Sequence, residues 1–356
     1  MTSDFVGLGD SDANARWIGV RRHQAVLSVM GVGLLSQWLF SSVAPTSEFI
    51  VALALFTCAA PSADGLTVGE QLAVALRYFV RSHWSVISAL EFGDDMALWA
   101  NGEVAFCGYE LVHRGRLDLS GRDVANAEAL RALADAASAT RAGQHFSAHV
   151  FRRNDQRSTL LALPPGVPVP DGWKKGNDLA RRVIGLDNDA PSLHLLERFT
   201  YLRAPEQLLR LYRVRDFNAA PSERGLLDAI LKSSTPLDLA LHVDVVSGAR
   251  AQRLSARAVH QVGSDDATSR AVGFRRTARA TRNYDRLAQR EALVASGRAL
   301  LRVAVFLMVR ASSLEELHKQ GDALWRHAHD AGLRVERGWG RQARWYRAQL
   351  PGGPSW

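Results

Sequence analysis

Gln24 to Val43 reads QAVLSVMGVGLLSQWLFSSV, about twenty residues without a charge. A helix of about that length matches the ~30 Å hydrocarbon core of a bilayer, so this run constrains the chain more than any other stretch. After the break Ala44-Pro45-Thr46-Ser47-Glu48 comes a second, shorter uncharged run, Phe49 to Ala60, FIVALALFTCAA. Arg16, Arg21 and Arg22 precede the first run, Arg77 and Arg81 follow the second, and the connection between them carries only Glu48. By the positive-inside rule this pattern predicts a two-segment hairpin in the cytoplasmic (inner) membrane, a multi-pass protein with both termini cytoplasmic. Arg21, Arg22, Arg77 and Arg81 are then the candidate headgroup contacts on the lipid bilayer. Two other readings stand beside it. One is a cleaved signal peptide ending near Ser42-Val43-Ala44, against which the second apolar run argues. The other is a buried hairpin within a folded domain.

The 356 residues taken together have the composition of a folded chain, with 47% hydrophobic and 22% charged residues. The net charge is +8, and because lysine stands only at 174, 175, 232 and 319, nearly all of the positive charge is arginine. Arginine spread over a whole chain points to base composition of the gene before it points to a nucleic-acid surface. Cys58 and Cys107 alone make neither a disulfide framework nor a zinc site.

Local patterns predict six regions: a cytosolic tail over 1–23, the hairpin over 24–63, a juxtamembrane helix and linker over 64–90, a first α/β subdomain over 91–163, a Pro/Gly-rich linker over 164–191, and a second α/β subdomain over 192–356. Val68 to Val80 has the spacing of an amphipathic helix with Leu72, Leu76 and Phe79 on one face. MALWA and EVAFCGYEL flank Asn101-Gly102, the dipeptide suited to a tight hairpin turn. Ser120 to Thr140 reads as a capped helix and His145 to Phe151 as a strand. Further on, Glu197 to Leu202, Leu208 to Phe217 and Asp238 to Val246 read as strands and Ser222 to Leu231 as a helix. An arginine-rich helical stretch covers about Asp266 to Ser296. LRVAVFLMV, Leu301 to Val309, suits a central strand, and Ser313-Leu314-Glu315-Glu316 is a capping box opening a helix to about Asp330. The expected fold class is α+β: a transmembrane hairpin followed by a cytosolic mixed-sheet region with helices packed on one face of the sheet.

Candidate chemistry is sparse. His327 and His329 stand two apart on a helix and face different ways, so they do not share an ion. His242 reads as an ordinary strand residue. Ser41-Ser42 and Ser312-Ser313 lack a nucleophile context, and Asp94-Asp95 and Asp265-Asp266 lie in turn-like segments. The expectation is a chain that is not an enzyme, with no catalytic residue, cofactor or metal. Arg275, Arg279, Arg282, Arg286 and Arg290 follow three- and four-residue steps and form a helix stripe, read as a solvated face, as a partner-binding surface for an acidic protein, or as a contact for nucleic acid or anionic lipid.

Two blocks carry a family resemblance. Asp64-Gly65-Leu66 followed by Gln71 to Arg81, QLAVALRYFVR, resembles the PrgI-like two-helix membrane proteins of type IV secretion systems. The second half resembles the N-terminal domain of the CagE/TrbE/VirB family of secretion ATPases. The residues that carry this are Leu211 to Phe217 (LYRVRDF), Gly225 to Asp228 (GLLD), Leu241 to Asp244 (LHVD) and Val309 to Leu317 (VRASSLEEL). In that family an ATPase domain follows. Here the chain ends at about that point, and no G-x-x-x-x-G-K-[ST] loop occurs to hold phosphates and magnesium. The resemblance therefore implies a non-catalytic assembly or docking subunit of a type IV-like secretion or conjugation system. Its implied partners are a separate secretion ATPase and the other membrane subunits of the same machine. Alternatives are a membrane subunit of an ESX (type VII) system and a basic nucleic-acid-binding protein, with nucleic acid the less favoured partner.

Overall fold

A computed structural model describes residues 6–8, 16–17, 20–21, 28–32, 51, 53–55, 57–58, 60, 68–80, 84–88, 90–92, 97–99, 105–113, 136, 139–153, 156–168, 174–175, 192–205, 207–217, 237–271, 278–330 and 333–351. The chain divides into two compact units. The first comprises Met1–Gly9, Ser82–Ala251 and Arg298–Trp356, and the second Asp10–Arg81 and Gln252–Gly297.

The first unit is built on one large sheet. In chain order its strands are β1 (Val6–Leu8), then, after the small pair β2 (Arg16–Trp17) and β3 (Val20–Arg21) of the other unit, β4 (Trp84–Ser88), β5 (Leu90–Phe92), β6 (Ala97–Trp99), β7 (Ala105–His113), β8 (His145–Arg153), β9 (Gln156–Leu163), β10 (Lys174–Lys175), β11 (Ser192–Glu197), β12 (Leu202–Arg203), β13 (Leu208–Phe217), β14 (Leu237–Val246), β15 (Leu300–Ala311) and β16 (Leu333–Arg337). They lie in the order β4-β11-β12-β13-β15-β14-β8-β9-β7-β6-β5, with β1 on β15, β10 on β7 and β16 on β13. All of these pairs are antiparallel except that of the three-residue β1 with β15. A sheet antiparallel throughout its body replaces the expected mixed sheet. Its neighbours are joined by hairpins or return from long connections, not by right-handed parallel crossovers.

β15 is the centre of this sheet, paired with β14 from Leu237↔Val309 to Val246↔Leu300 and with β13 from Leu208↔Ala311 to Val214↔Val305. Its run LLRVAVFLMVRA does not alternate because both faces are covered. On one face Phe306, Met308, Ala304, Leu211 and Ala240 meet Ala343, Trp345, Tyr346 and Ala348 of a C-terminal helix, Gln342–Gln349. On the other, Val305, Leu307, Val309, Tyr212 and Leu239 meet Leu317, Leu324 and Ala328 of the helix Leu314–Asp330. Helices therefore lie on both faces of the sheet, where one was expected. A further apolar cluster on that second side gathers Phe146, Ala148, Leu161, Leu163, Val243 and Leu301. Val167, in the turn that follows β9, is buried there too, and Gly166 takes φ 81° to close that turn.

With the remaining helices the chain order is α1 (Val68–Val80), α2 (Gly248–Ala271), α3 (Ala278–Ala295), α4 (Leu314–Asp330) and α5 (Gln342–Gln349). The capping box at α4 forms as the sequence predicts. Ser313 Oγ accepts the Glu316 N–H at 3.2 Å, and the Glu316 carboxylate accepts the Ser312 N–H at 3.2 Å, one residue earlier than in the usual box. Leu317, Gly321, Leu324 and Ala328 form its buried stripe, and burying each leucine stabilises by roughly 1.5–3 kcal/mol. Gly321 is there for space. A β-carbon on it would enter the contact radius of the buried Tyr212 hydroxyl and stand 3.0 Å from Arg210 Nη1. Alanine gains about 1 kcal/mol of helix propensity over glycine, but overpacking a rigid core costs about 1–3 kcal/mol, so the clash decides. Gly321→Ala is expected to lower the urea midpoint, and an unchanged or raised midpoint would show that α4 can shift outward freely.

Several expectations need correction or fall outside the described residues. No helix among the described residues is long and apolar enough to cross a membrane. This overturns the transmembrane hairpin, and with it the multi-pass inner-membrane placement with both termini cytoplasmic. The physical reason is clearest in the second run: the twelve residues Phe49 to Ala60 reach only about 18 Å as a helix, well short of the hydrocarbon core. In the first run the described helical residues are 28–32. The β6–β7 hairpin forms in the expected place, with Ala97↔Phe106 and Leu98↔Ala105 paired, while Asn101-Gly102 lies outside the described residues. The expected helix over 222–231 also lies outside them, as does most of that over 120–140. The arginine-rich stretch resolves into α2 and α3, the first opening at Gly248, well before the expected start.

Candidate interaction surface and a buried histidine array

In the second unit, α1 turns its apolar seam outward. The sequence spacing of Leu72, Leu76 and Phe79 steps by four and then three, the a/d rhythm of a packing helix. Yet these side chains are 58%, 69% and 74% exposed, and Val80 is 81% exposed. The residues that α1 buries are Val74 and Tyr78, on the opposite side. Arg77, one of the candidate headgroup contacts, is exposed on this helix. Arg21 sits in β3 opposite Arg16, and Arg22 and Arg81 lie outside the described residues.

The candidate arginine stripe is placed in part. Arg275 lies outside the described residues, and Arg279 belongs to α3 without a described side chain. Arg282 and Arg286 are exposed on α3, Arg282 donating from Nε to the Ala278 carbonyl at 3.4 Å, whereas Arg290 is buried. The sequence reading missed a second basic series on α2: Arg250, Arg253, Arg257 and His260 recur at three- and four-residue steps and all are exposed. Arg257 and His260 also line a solvent-open groove of about 780 Å³ with Ser264 and Asp265 of α2 and Glu291 of α3. Its charges are of both signs, so it selects no single class of ion.

The first unit holds the more unusual chemistry. On the α5 side of the sheet, β8 presents His145, Ser147 and His149, and β14 presents His242 and Asp244, with His242 opposite Ser147 and Asp244 opposite His145. His145 Nδ1 lies 2.7 Å from Asp244 Oδ1. Its other nitrogen, Nε2, lies 3.2 Å from His242 Nδ1, and the two rings stack with centroids 5.2 Å apart. His149 Nε2 lies 2.9 Å from Ser147 Oγ, and its ring stands perpendicular to that of His242 at 5.6 Å. Phe306 stands perpendicular on His242 from β15 at 5.8 Å. His149, His242 and Ser147 have no exposed surface, whereas His145 and Asp244 remain about a quarter exposed.

Burial governs the charge state of this array. Desolvation, and then the neighbouring His145, push the His149 imidazole down to about 3 from its ordinary 6.5. Desolvation, followed by His149 and His145, holds His242 well below its ordinary value. Both are neutral rings in the core. Among the described residues no group of three or more His, Cys, Asp or Glu side chains is arranged to hold a metal ion. His327 and His329 are both exposed near the end of α4, with His329 stacked on Trp325 at 5.7 Å.

His242 read alone looks ordinary. The signal in the sequence was a period of two: His145-x-Ser147-x-His149 on one strand and His242-x-Asp244 on another put polar residues on one face of otherwise apolar strands. Only the pairing of β8 with β14 makes them one cluster. A comparison with protein-family models and a comparison with curated proteins each find no match.

Proposed function

We propose that this chain is a non-catalytic assembly and docking subunit of a type IV-like secretion or conjugation machine, and that it recruits a separate ATPase. The observation that carries the docking reading is the outward seam of α1. Four large apolar side chains at helical spacing stand in water on a helix whose other side is packed, which is the arrangement of a helix that receives a partner in a groove. Burying each of them on a partner stabilises the complex by roughly 1.5–3 kcal/mol. The secretion reading rests on the similarity of Leu211 to Phe217 and Val309 to Leu317 to the front domain of secretion ATPases. The second block spans the end of β15, the Ser313 cap and the first turn of α4. With no phosphate-binding loop in this sequence, nucleotide hydrolysis is the partner's task.

The test is co-purification of the tagged full chain from its native host, with the captured chains identified by mass spectrometry. A chain bearing G-x-x-x-x-G-K-[ST] is expected, and the double variant Leu72→Glu/Phe79→Glu is expected to weaken its capture at least about 100-fold, since two anchors at these energies exceed 3 kcal/mol. Both positions are exposed, so the variant should melt close to the parent. Failure to recover any such ATPase, or undiminished capture by the variant, overturns the reading.

A further inference from the structure

The chain Asp244, His145, His242 runs from a half-buried carboxylate to a fully buried imidazole through two hydrogen bonds, and it has a constraint that an isolated histidine lacks. The carboxylate accepts at His145 Nδ1, so that nitrogen carries a hydrogen. The contact between His145 Nε2 and His242 Nδ1 has room for one hydrogen only. With His145 neutral, its Nε2 is the acceptor, His242 donates from Nδ1, and His242 Nε2 is left as a lone pair. That atom is buried and has no hydrogen-bond partner among the described residues. We propose that this chain is a proton relay in which uptake of one proton inverts the tautomer of His242 while the charge comes to rest on His145.

The proton count balances at each atom. One proton enters at His242 Nε2, the hydrogen on His242 Nδ1 passes to His145 Nε2, and His145 becomes an imidazolium against the Asp244 carboxylate. His242 ends as a neutral ring again, now protonated on Nε2 and accepting on Nδ1. A charge left on His242 would be fully desolvated, whereas on His145 it is partly solvated and 2.7 Å from a carboxylate oxygen. Geometry therefore settles which ring holds the charge. Among the described residues the charged and titratable groups facing the relay are His149 on β8, Asp244 on β14 and Arg302, opposite Asp244 on β15. The cross-strand neighbours Ala304 and Ala162 bring none. The rings of Phe306 and His149 stand perpendicular to that of His242, with centroids 5.8 and 5.6 Å away. The result is a pH-sensitive switch inside the sheet: a proton taken up at His242, at the buried centre, reverses the His145–His242 hydrogen bond and leaves its charge on His145, at the partly exposed rim.

Long-range proton–nitrogen correlation of the full chain carrying ¹⁵N-histidine, followed from pH 8 to pH 5, reads the tautomer of each ring directly. His242 Nε2 is expected to change from a lone-pair to a protonated nitrogen with the same midpoint as the charging of His145. Asp244→Asn should reduce the inverted population of His242 at pH 5, because it removes the carboxylate beside the imidazolium. His145→Gln should leave His242 in one tautomer across the range, with the amide spectrum retained as the control for folding. The wild-type titration decides the matter without any variant. A His242 that keeps one tautomer while His145 titrates, or that becomes a second cation, overturns the relay.

Discussion

Acidification from pH 7 to pH 5 is expected to lower the unfolding free energy by about 2 kcal/mol through His149 alone, with His242 adding in the same direction. His149 has its pKa depressed to about 3 in the folded chain, against 6.5 when solvated, because its ring has no exposed surface. Below pH 6.5 the unfolded chain binds a proton that the folded one refuses. The stability is therefore fully present above 6.5, falls progressively as the pH drops, and is lost by the time the pH passes through 3. Over the whole window the shift corresponds to about 5 kcal/mol, comparable with the entire stability of many domains. Urea midpoints at pH 7.5, 6 and 5 measure it. His149→Leu should flatten the dependence by about one proton, and a midpoint that does not move between pH 7 and 5 would show that the array is hydrated and already charged.

Gln342→Leu is expected to cost about 3 kcal/mol despite being close in size. Along its outer edge β13 pairs first with β12, at Leu208 and Leu209, and then with β16, from Tyr212 onward. Leu211 falls in the gap between those partners. Its N–H donates instead to Gln342 Oε1 at 2.8 Å, and its carbonyl accepts from the Gly338 N–H at 3.1 Å. Gln342 Nε2 donates in turn to the Thr200 carbonyl at 3.2 Å, so one fully buried amide completes a ladder that two strands leave open. Leucine fills the volume but leaves the Leu211 N–H dry and unbonded, and stranding a buried donor costs about 1–3 kcal/mol beyond the bond lost. Arg344→Ala, exposed on the same helix, is the control and should stay within about 0.5 kcal/mol. Equilibrium unfolding with an unchanged m-value checks both variants. Equal midpoints for Gln342→Leu and the parent would mean that Leu211 finds another acceptor.

Elements whose signal is local are legible in the residues themselves. The α4 start follows from Ser313 and Glu316, which satisfy nearby backbone amides with their own side chains, so the information lies within four residues. The β6–β7 hairpin follows from the flanking β-formers, and β15 from an apolar run too dense for a solvent-facing strand. Where the signal is not local, the pattern misleads for physical reasons. β9 escapes a periodicity argument because Leu160, Leu161, Ala162 and Leu163 are all buried: a strand covered on both faces has no alternation to detect. The apolar runs over 24–43 and 49–60 match a membrane hairpin by charge and hydropathy, which report how far a segment avoids water and not what it packs against. The outward seam of α1 inverts the same logic. Spacing identifies Leu72, Leu76 and Phe79 as one face, and nothing in the spacing says that this face is the open one.

What the sequence by itself determined, then, is where the backbone bends, caps and extends, because glycine conformations, capping hydroxyls and β-branched runs act over a few residues. It also determined that no phosphate-binding loop is present. Tertiary structure alone decided which strands are neighbours. That choice made His242 the middle of a three-histidine array and not a lone strand residue, since His145 and His149 reach it from a strand nearly one hundred positions earlier. It also decided that Gln342 completes the edge of β13 across 131 positions of sequence. Both outcomes are set by the register of antiparallel pairing, a long-range property fixed by the sum of many buried contacts, in which no single residue carries a readable share.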